Sequence, residues 1–350
     1  MSDTRPSTFL PALRELTLSR IREFLREPEA VFWVFGFPVI MTLALGIAFR
    51  SRTDDPVRVA VEAGEGAAAL RASLQSAGGF IVSDVPDAGV ERALRDGLVQ
   101  VVVAPGVPPT YRFDPARAES QVARLAVDRA LQRAAGRADA FTPREDAVRA
   151  AGSRYIDWLV PGLLGMNIMS TGLWSTSFAI VTARTRKLLK RFAATPMPRS
   201  AYLLAILLAR LVFLAAEGTV LIAFAYFAFG VDVHGGLAAL AVVSLVGALT
   251  FGGIALLVAS RAKTVEGVSG LLNLVMLPMW VFSGVFFSSS NFPDVMQPFV
   301  QALPLTALND ALRGVMNDGQ GLAALWRDLA LLGVWGGLSF AAALKLFRWN

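Results

Sequence analysis

The stretch VFWVFGFPVIMTLALGIAF, residues 31–49, carries no charged side chain. About 20 mostly apolar residues cross the hydrocarbon core of a bilayer, so this stretch predicts a transmembrane helix, and Pro38 predicts a kink in it. Five further long, mostly apolar runs lie at residues 156–182, 201–228, 237–260, 265–287 and 327–345. Hydrophobic residues make up 55% of the 350-residue chain, too large a share for one soluble core. We therefore expect an α-helical integral membrane protein with six transmembrane helices, the first at 31–49 and the other five within 153–350.

The stretch from residue 50 to residue 152 has a different character, because short β-branched runs alternate there with Ala-rich segments. Its pattern predicts strands near 57–61, 80–82, 99–103 and 111–113, and helices near 66–76, 90–96 and 116–137. The stretch is electrically neutral, with 14 arginines and 14 acidic residues. We interpret it as a soluble α/β domain inserted after the first span.

The short loops between spans determine the orientation. Six Lys and Arg residues lie between residues 184 and 199, and Arg261 and Lys263 lie between the fourth and fifth spans, whereas the loop 230–236 has none. Positively charged loops stay in the cytoplasm, so both termini are expected to be cytoplasmic and the α/β domain extracytoplasmic. Residues 1–30 then form a cytoplasmic amphipathic helix on the membrane surface. The expected location is a bacterial-type cytoplasmic (inner) membrane.

The segment 288–326 is apolar but interrupted by Pro293, Pro298 and Pro304, so it does not predict a clean span. One interpretation is a pair of short helices that dip into the outer leaflet and are buried against protein. The other is an ordinary external loop with an amphipathic turn.

Composition excludes several classes of function. The chain has no cysteine and a single histidine, His234, which leaves no thiol nucleophile, no Cys/His metal site and no bound cofactor to expect. No phosphate-binding loop is present, since the Gly-rich run at 63–66 lacks the required lysine. The net charge of +6 arises outside residues 50–152, mostly beside the apolar runs, so nucleic-acid binding is not expected. The chain is thus not predicted to be an enzyme.

Two charged residues stand within the predicted third span. Arg210 and Glu217 are seven residues apart, so they share one face of a helix about 10 Å from each other. One interpretation is that they line a polar translocation path or pair with neighbouring helices. The other is that Arg210 extends to the cytoplasmic interface while Glu217 makes an internal hydrogen bond.

The cytoplasmic segment 183–200 contains a short cationic amphipathic helix. Within the run RKLLKRF, the apolar side chains stand at helical spacing among four cations. The run consists of Arg186, Lys187, Leu188, Leu189, Lys190, Arg191 and Phe192. It either lies on anionic lipid or docks into a groove of a cytoplasmic partner.

Taken in order, these features resemble the ABC-2 type transporter permeases, the membrane subunits of ABC exporters. The resemblance is carried by REP at 26–28, YIDWLVPG at 155–162, RKLLKRFAATPM at 186–197, SGVFF at 283–287 and LPLT at 303–306. It implies that the segment containing Thr195 and Pro196 is the coupling helix for a separate ABC ATPase subunit, which would bind ATP and Mg. It also implies a second permease copy, with a homodimer expected, in contact with membrane lipid. The segment departs from many members in lacking a Gly and a Glu.

Two other classes of function compete with this interpretation. In one, the chain is a membrane-anchored receptor or envelope assembly factor whose external domain binds a ligand. In the other, it is a secondary transporter, which would need repeated halves or discontinuous helices with carboxylates at mid-membrane. The sequence shows no internal repeat, and Glu217 alone gives that alternative little support.

Overall fold

The computed structural model describes residues 9–49, 56–138, 152–185, 199–262 and 264–346, together with positions 141, 144 and 146. The chain divides into two compact units. One comprises Met1–Ser51 and Arg149–Asn350, and the other comprises Arg52–Val148. We call the first the helical unit and the second the α/β unit.

The α/β unit contains a four-stranded sheet with helices between the strands. Its elements are β1 (Val57–Glu62), α3 (Ala67–Ala77), β2 (Phe80–Val85), α4 (Val90–Arg95), β3 (Val101–Ala104), β4 (Thr110–Arg112) and α5 (Ala118–Ala134). The strand order is β2-β1-β3-β4. β1 pairs in parallel with both β2 and β3, and β4 runs antiparallel to β3.

Both faces of this sheet are covered. The side chains of Val59 and Val61 pack on one face with Leu74 and Val127, while Ala60 packs on the other with residues of α4. Successive residues of a strand point to opposite faces, so a strand covered on both sides becomes an unbroken apolar run. That is why the centre of the sheet consists of the buried apolar runs VAV at 59–61 in β1 and VVV at 101–103 in β3.

The helical unit is built from long helices and two short ones. Its elements are α1 (Phe9–Leu25), α2 (Pro28–Ala48), α6 (Tyr155–Thr185), α7 (Arg199–Phe229), α8 (Leu237–Arg261), α9 (Val265–Phe282), α10 (Gln297–Ala302), α11 (Pro304–Met316) and α12 (Trp326–Leu346). α1 packs against α7, where the rings of Phe24 and Phe213 are 4.3 Å apart.

Five helical segments of the described chain are long and apolar enough to cross a membrane. They are Pro28–Ala48, Leu208–Phe229, Leu237–Arg261, Val265–Phe282 and Trp326–Leu346. Most of each segment is not buried within the chain, which leaves wide apolar faces. Such faces are stable against lipid rather than water, so the chain is an α-helical membrane protein.

α6 has 31 residues but is less apolar than these five segments. It packs against α2, α7, α8, α9 and α11, and most of its residues are buried. Its polar side chains, such as Asn167, Ser177 and Thr171, bond to neighbouring helices or to its own backbone. A helix surrounded by protein needs no apolar surface for lipid, which explains its composition.

At two prolines in the helical unit, the carbonyl four residues earlier lacks its backbone N–H donor. An asparagine side chain donates to each of these carbonyls instead. In α2, a π-helical turn at Phe32–Gly36 precedes Pro38, where the sequence predicted a kink. Proline has no amide to bond the carbonyl four residues earlier, and the Nδ2 of Asn167 donates to the Val34 carbonyl at 3.1 Å. Pro161 in α6 likewise cannot donate to the Asp157 carbonyl. That carbonyl accepts instead from the Nδ2 of Asn317 at 3.0 Å.

α9 is shorter than the sequence predicted. The apolar run suggested a span at 265–287, but the helix ends at Phe282. Gly284 has a φ of +68°, a conformation that ends a helix readily because glycine has no Cβ. The Ser283 carbonyl also accepts a hydrogen bond from the side chain of Asn309 at 2.8 Å, which fixes the end of the helix.

The predicted interrupted segment 288–326 does contain short helices. Two 3₁₀ turns, Ser289–Asn291 and Asp294–Met296, lead into α10, and α11 follows after Leu303. Twelve of the 13 residues of α11 are buried, and the helix packs against α6, α8 and α12. The indole Nε1 of Trp335 in α12 donates to the Ala302 carbonyl at 2.8 Å, between α10 and α11.

Candidate functional site

An ion pair is buried between α6 and α7. Arg210 and Glu217, both in α7, approach to 3.0 Å between Nη1 and Oε1. The residue Glu217 is only 3% exposed. Its second carboxylate oxygen accepts a hydrogen bond from the Thr171 hydroxyl in α6 at 3.2 Å. Both oxygens therefore have partners, as a carboxylate buried in an apolar helix bundle requires.

The guanidinium of Arg210 also bonds to α6. Its Nη2 donates to the Ile168 carbonyl at 3.3 Å, and Gly172 lies close beside it. The sequence placed Arg210 and Glu217 on one face about 10 Å apart, and the long arginine side chain closes that distance. Arg210 therefore points along α7 toward Glu217 rather than away to an interface. The pair bonds to a neighbouring helix, as the first interpretation allowed, and Glu217 also makes the internal hydrogen bond of the second.

A second polar cluster joins α6 to α11. The guanidinium carbon of Arg313 lies 3.4 Å from the centre of the Trp158 ring, a close cation–π contact. Arg313 also donates to the carbonyls of Trp158 and Gly284 and pairs with Asp310 at 3.5 Å. Since Arg313 is 6% exposed, these groups replace the water that would otherwise solvate its charge.

Glycines let α6 and α11 approach closely at this cluster. A Cβ on Gly165 would overlap the amide oxygen of Asn309, and one on Gly162 would lie 3.1 Å from a guanidinium nitrogen of Arg313. Small residues allow such backbone approach between membrane helices. The two glycines thus set the spacing at which Asn309 and Arg313 reach α6.

Five buried side-chain atoms of this cluster have no hydrogen-bond partner among the described residues. They are Trp158 Nε1, Ser283 Oγ, Thr306 Oγ1, Asn309 Oδ1 and Arg313 Nε. Thr306, Asn309 and Arg313 recur at helical spacing on one face of α11. We define these five residues as the α6–α11 polar cluster. Sequence reasoning missed it, although that spacing was a readable signal.

An ion pair and several hydrogen bonds join the ends of α6, α7 and α11 next to this cluster. Arg154 pairs with Asp157 at 2.7 Å and donates to the carbonyls of Phe229 and Gly230. The hydrogen bond to Asp157 raises the pKa of Arg154. His234, the single histidine, is exposed, and its Nδ1 lies 3.1 Å from the Met316 carbonyl oxygen. The ends of α6, α7 and α11 therefore meet on one side of the helical unit.

The predicted coupling residues lie outside the described residues. They are Arg186, Lys187, Leu188, Leu189, Lys190, Arg191, Phe192, Thr195 and Pro196. The described chain ends before them at Thr185 of α6 and resumes after them at Arg199 of α7. Within the described ranges there is no group of three or more His, Cys, Asp or Glu residues that could hold a metal ion.

Comparison with known proteins identifies the family. A family model described as ABC-2 type transporter matches residues 125–317, more than half of the chain. Nodulation protein J of Bradyrhizobium diazoefficiens is 31% identical over 208 residues, which cover 57% of this chain and 76% of that protein. ABC transporter G family member 20 of Dictyostelium discoideum is 29% identical over 172 residues, which cover 49% of this chain and 23% of that protein. The chain thus spans about a quarter of the length of the Dictyostelium protein, and it belongs to the ABC-2 type transporter family of membrane transport components.

Proposed function

We propose that the chain is the permease subunit of an ATP-driven ABC exporter. It would move an amphiphilic small molecule, a drug or a lipid-linked substrate across a bacterial-type cytoplasmic membrane. A separate ATPase subunit would bind ATP and Mg and perform the hydrolysis. The observation that carries the proposal is the family match, because residues 125–317 include α6 to α11 and the coupling segment. The sequence has no phosphate-binding loop of its own, which agrees with this division of labour.

The proposed topology has six spans, with α6 as the second. A helix of 31 residues is about 46 Å long, enough to cross a bilayer, and its neighbours shield its polar side chains from lipid. Both termini and residues 183–200 would face the cytoplasm, and the α/β unit would lie outside. α11 would enter the outer leaflet, because it packs beside α6 and its residues are buried against protein.

Two polar groups in the helical unit suit a translocation pathway. The Arg210–Glu217 pair would line its polar part, since charges at this depth are costly unless they serve a function. The α6–α11 polar cluster would lie along the same pathway, nearer the outside. Its unpartnered atoms gain hydrogen bonds if the helices part and admit water or the polar end of a substrate. Two copies of the chain would enclose the pathway as a homodimer.

The coupling segment would connect the ATPase to the spans. Leu188 and Phe192 would insert into a groove of the ATPase, with the surrounding cations setting the orientation. We expect Leu188→Asp combined with Phe192→Asp to abolish co-purification of the ATPase while the spans remain folded. A matched control is Leu10→Asp combined with Leu25→Asp, which places the same charges on exposed apolar positions of α1. ATPase retained by the first double variant, or lost equally from the control, would count against this assignment.

A further inference from the structure

The last turn of α6 is tied to the end of α8 by one side chain. The Nη1 of Arg184 donates to the Ala259 carbonyl at 3.1 Å and to the Ala262 carbonyl at 3.0 Å. Ala259 is in the last turn of α8, and Ala262 is the first residue after it. Carbonyls at a helix C-terminus lack intrahelical partners and carry partial negative charge, so a cation stabilises them.

This contact ends a longer seam between the two helices. Seven residues before Arg184, the Ser177 hydroxyl donates to the Ala255 carbonyl at 3.2 Å. From Ser177 to Arg184 in α6, the bonded residue in α8 moves from 255 to 259, so the two helices run in the same direction. Ala255 and Ala259 are fully buried small residues, which let the two backbones lie close together. Short, directional contacts therefore connect the second half of α6 to α8.

Arg184 also reaches the connection between α8 and α9. Ala262 is three residues before Val265, where α9 begins. The Thr264 side chain caps that helix by accepting the Gly267 amide at 3.1 Å. On the other side, Arg184 lies within the cytoplasmic segment 183–200, two residues before Arg186, the first of the proposed coupling residues. A single guanidinium thus joins the last turn of α6 to the end of α8 and to the first residue after α8.

We propose that Arg184 is a positioning residue that makes α6, α8 and the start of α9 move as one body when an ATPase displaces the coupling segment. The inference rests on the proposed function, because it concerns how that movement reaches the spans. Arg184 contacts neither nucleotide nor substrate in this account. It acts through the carbonyls of Ala259 and Ala262.

Hydrogen–deuterium exchange of the reconstituted protein in lipid nanodiscs tests the proposal. In the chain alone, Arg184→Ala should speed exchange of amides in residues 255–268, whereas Arg184→Lys should restore much of the protection. The matched control is Arg261→Ala, which removes an exposed cation from the end of α8. In the complex with the ATPase, ATP should change exchange in both α6 and residues 255–268 of the parent. In Arg184→Ala the change should stay in α6, while the ATPase still co-purifies.

The outcomes separate the inference from the proposed function. If Arg184→Ala leaves exchange in residues 255–268 unchanged in the chain alone, or if the ATP-dependent change there survives in its complex, the inference is overturned and the proposed function stands. If no ATPase binds the parent chain, the proposed function fails and the inference fails with it. A gain of exchange equal to that of Arg261→Ala would assign the effect to lost charge alone and also overturn the inference.

Discussion

The hydrogen bond from Asn167 to the Val34 carbonyl provides a quantitative test of how α6 holds α2. Leucine at position 167 has a similar size but no donor, so Asn167→Leu leaves that part-buried carbonyl without its side-chain donor. Such a group costs about 1–3 kcal/mol. Side-chain hydrogen bonds measured within membranes average only about 0.6 kcal/mol, because the bonding groups also find partners in the unfolded state within the membrane. Pro38 removes the regular backbone donor from that state as well, so we expect a loss of about 1–2 kcal/mol in the free energy of unfolding.

Pro38→Ala makes the prediction specific, because alanine supplies the missing amide. The free energy of unfolding in mixed micelles should fall with Asn167→Leu in the parent, and by less than half as much in the Pro38→Ala background. The control is Asn273→Leu, the same change at an exposed position of α9, which should cost little. An equal loss from Asn167→Leu in both backgrounds would refute the reasoning.

Three further predictions concern other parts of the chain. Glu217→Leu should destabilise the helical unit by about 3–5 kcal/mol, because it leaves the charge of Arg210 unpaired inside the helix bundle, and adding Arg210→Met should recover most of this loss. The double variant should fold yet lose amphiphile-stimulated ATP hydrolysis in the complex. Retained stimulation would show that the pair does not line the pathway. Gly165→Ala should cost about 1–3 kcal/mol in unfolding measurements, because its Cβ overlaps the neighbouring amide, whereas Gly252→Ala, with open space at its Cβ, should not. Burial and a hydrogen bond to a carboxylate raise the pKa of Tyr111 to about 12 from an ordinary value of about 10. Between pH 10 and 12 the side chain loses its proton in the unfolded state but keeps it in the folded state, so the free energy of unfolding falls as the pH rises through that window. Tyr111→Phe should reduce this fall in thermal unfolding scans. An identical pH dependence in the variant would contradict this prediction.

Much of the fold was predictable because apolar length and period report directly on it. The runs at 237–260 and 327–345 correspond to α8 and α12 within one residue at each end. The alternation of Val57 to Val61 indicated the central strand of the α/β unit. Both signals are local, since the apolar length of a span and the period of two along a strand are read from consecutive residues.

The contacts that complete the site are not local, and sequence alone could not give them. Asn167 and Val34 are 133 residues apart in sequence, and Asp157 and Asn317 are 160 residues apart. A proline shows that a carbonyl needs another donor, but the donor's identity depends on how the helices pack. Arg313 was overlooked for a related reason: the sequence allowed short buried helices in 288–326, but which of their side chains face α6 depends on glycines in α6 that are distant in sequence.

We propose that this chain moves an amphiphile only when a separate ATPase hydrolyses ATP. Lipid vesicles that contain the purified chain and its ATPase test this, by following a fluorescent amphiphile from the cytoplasmic face into the lumen. We expect accumulation that requires ATP, both proteins and an intact coupling segment, and that disappears with Leu188→Asp and Phe192→Asp. Accumulation by the chain without an ATPase, or none with a stably bound and active ATPase across a panel of amphiphiles, would contradict it.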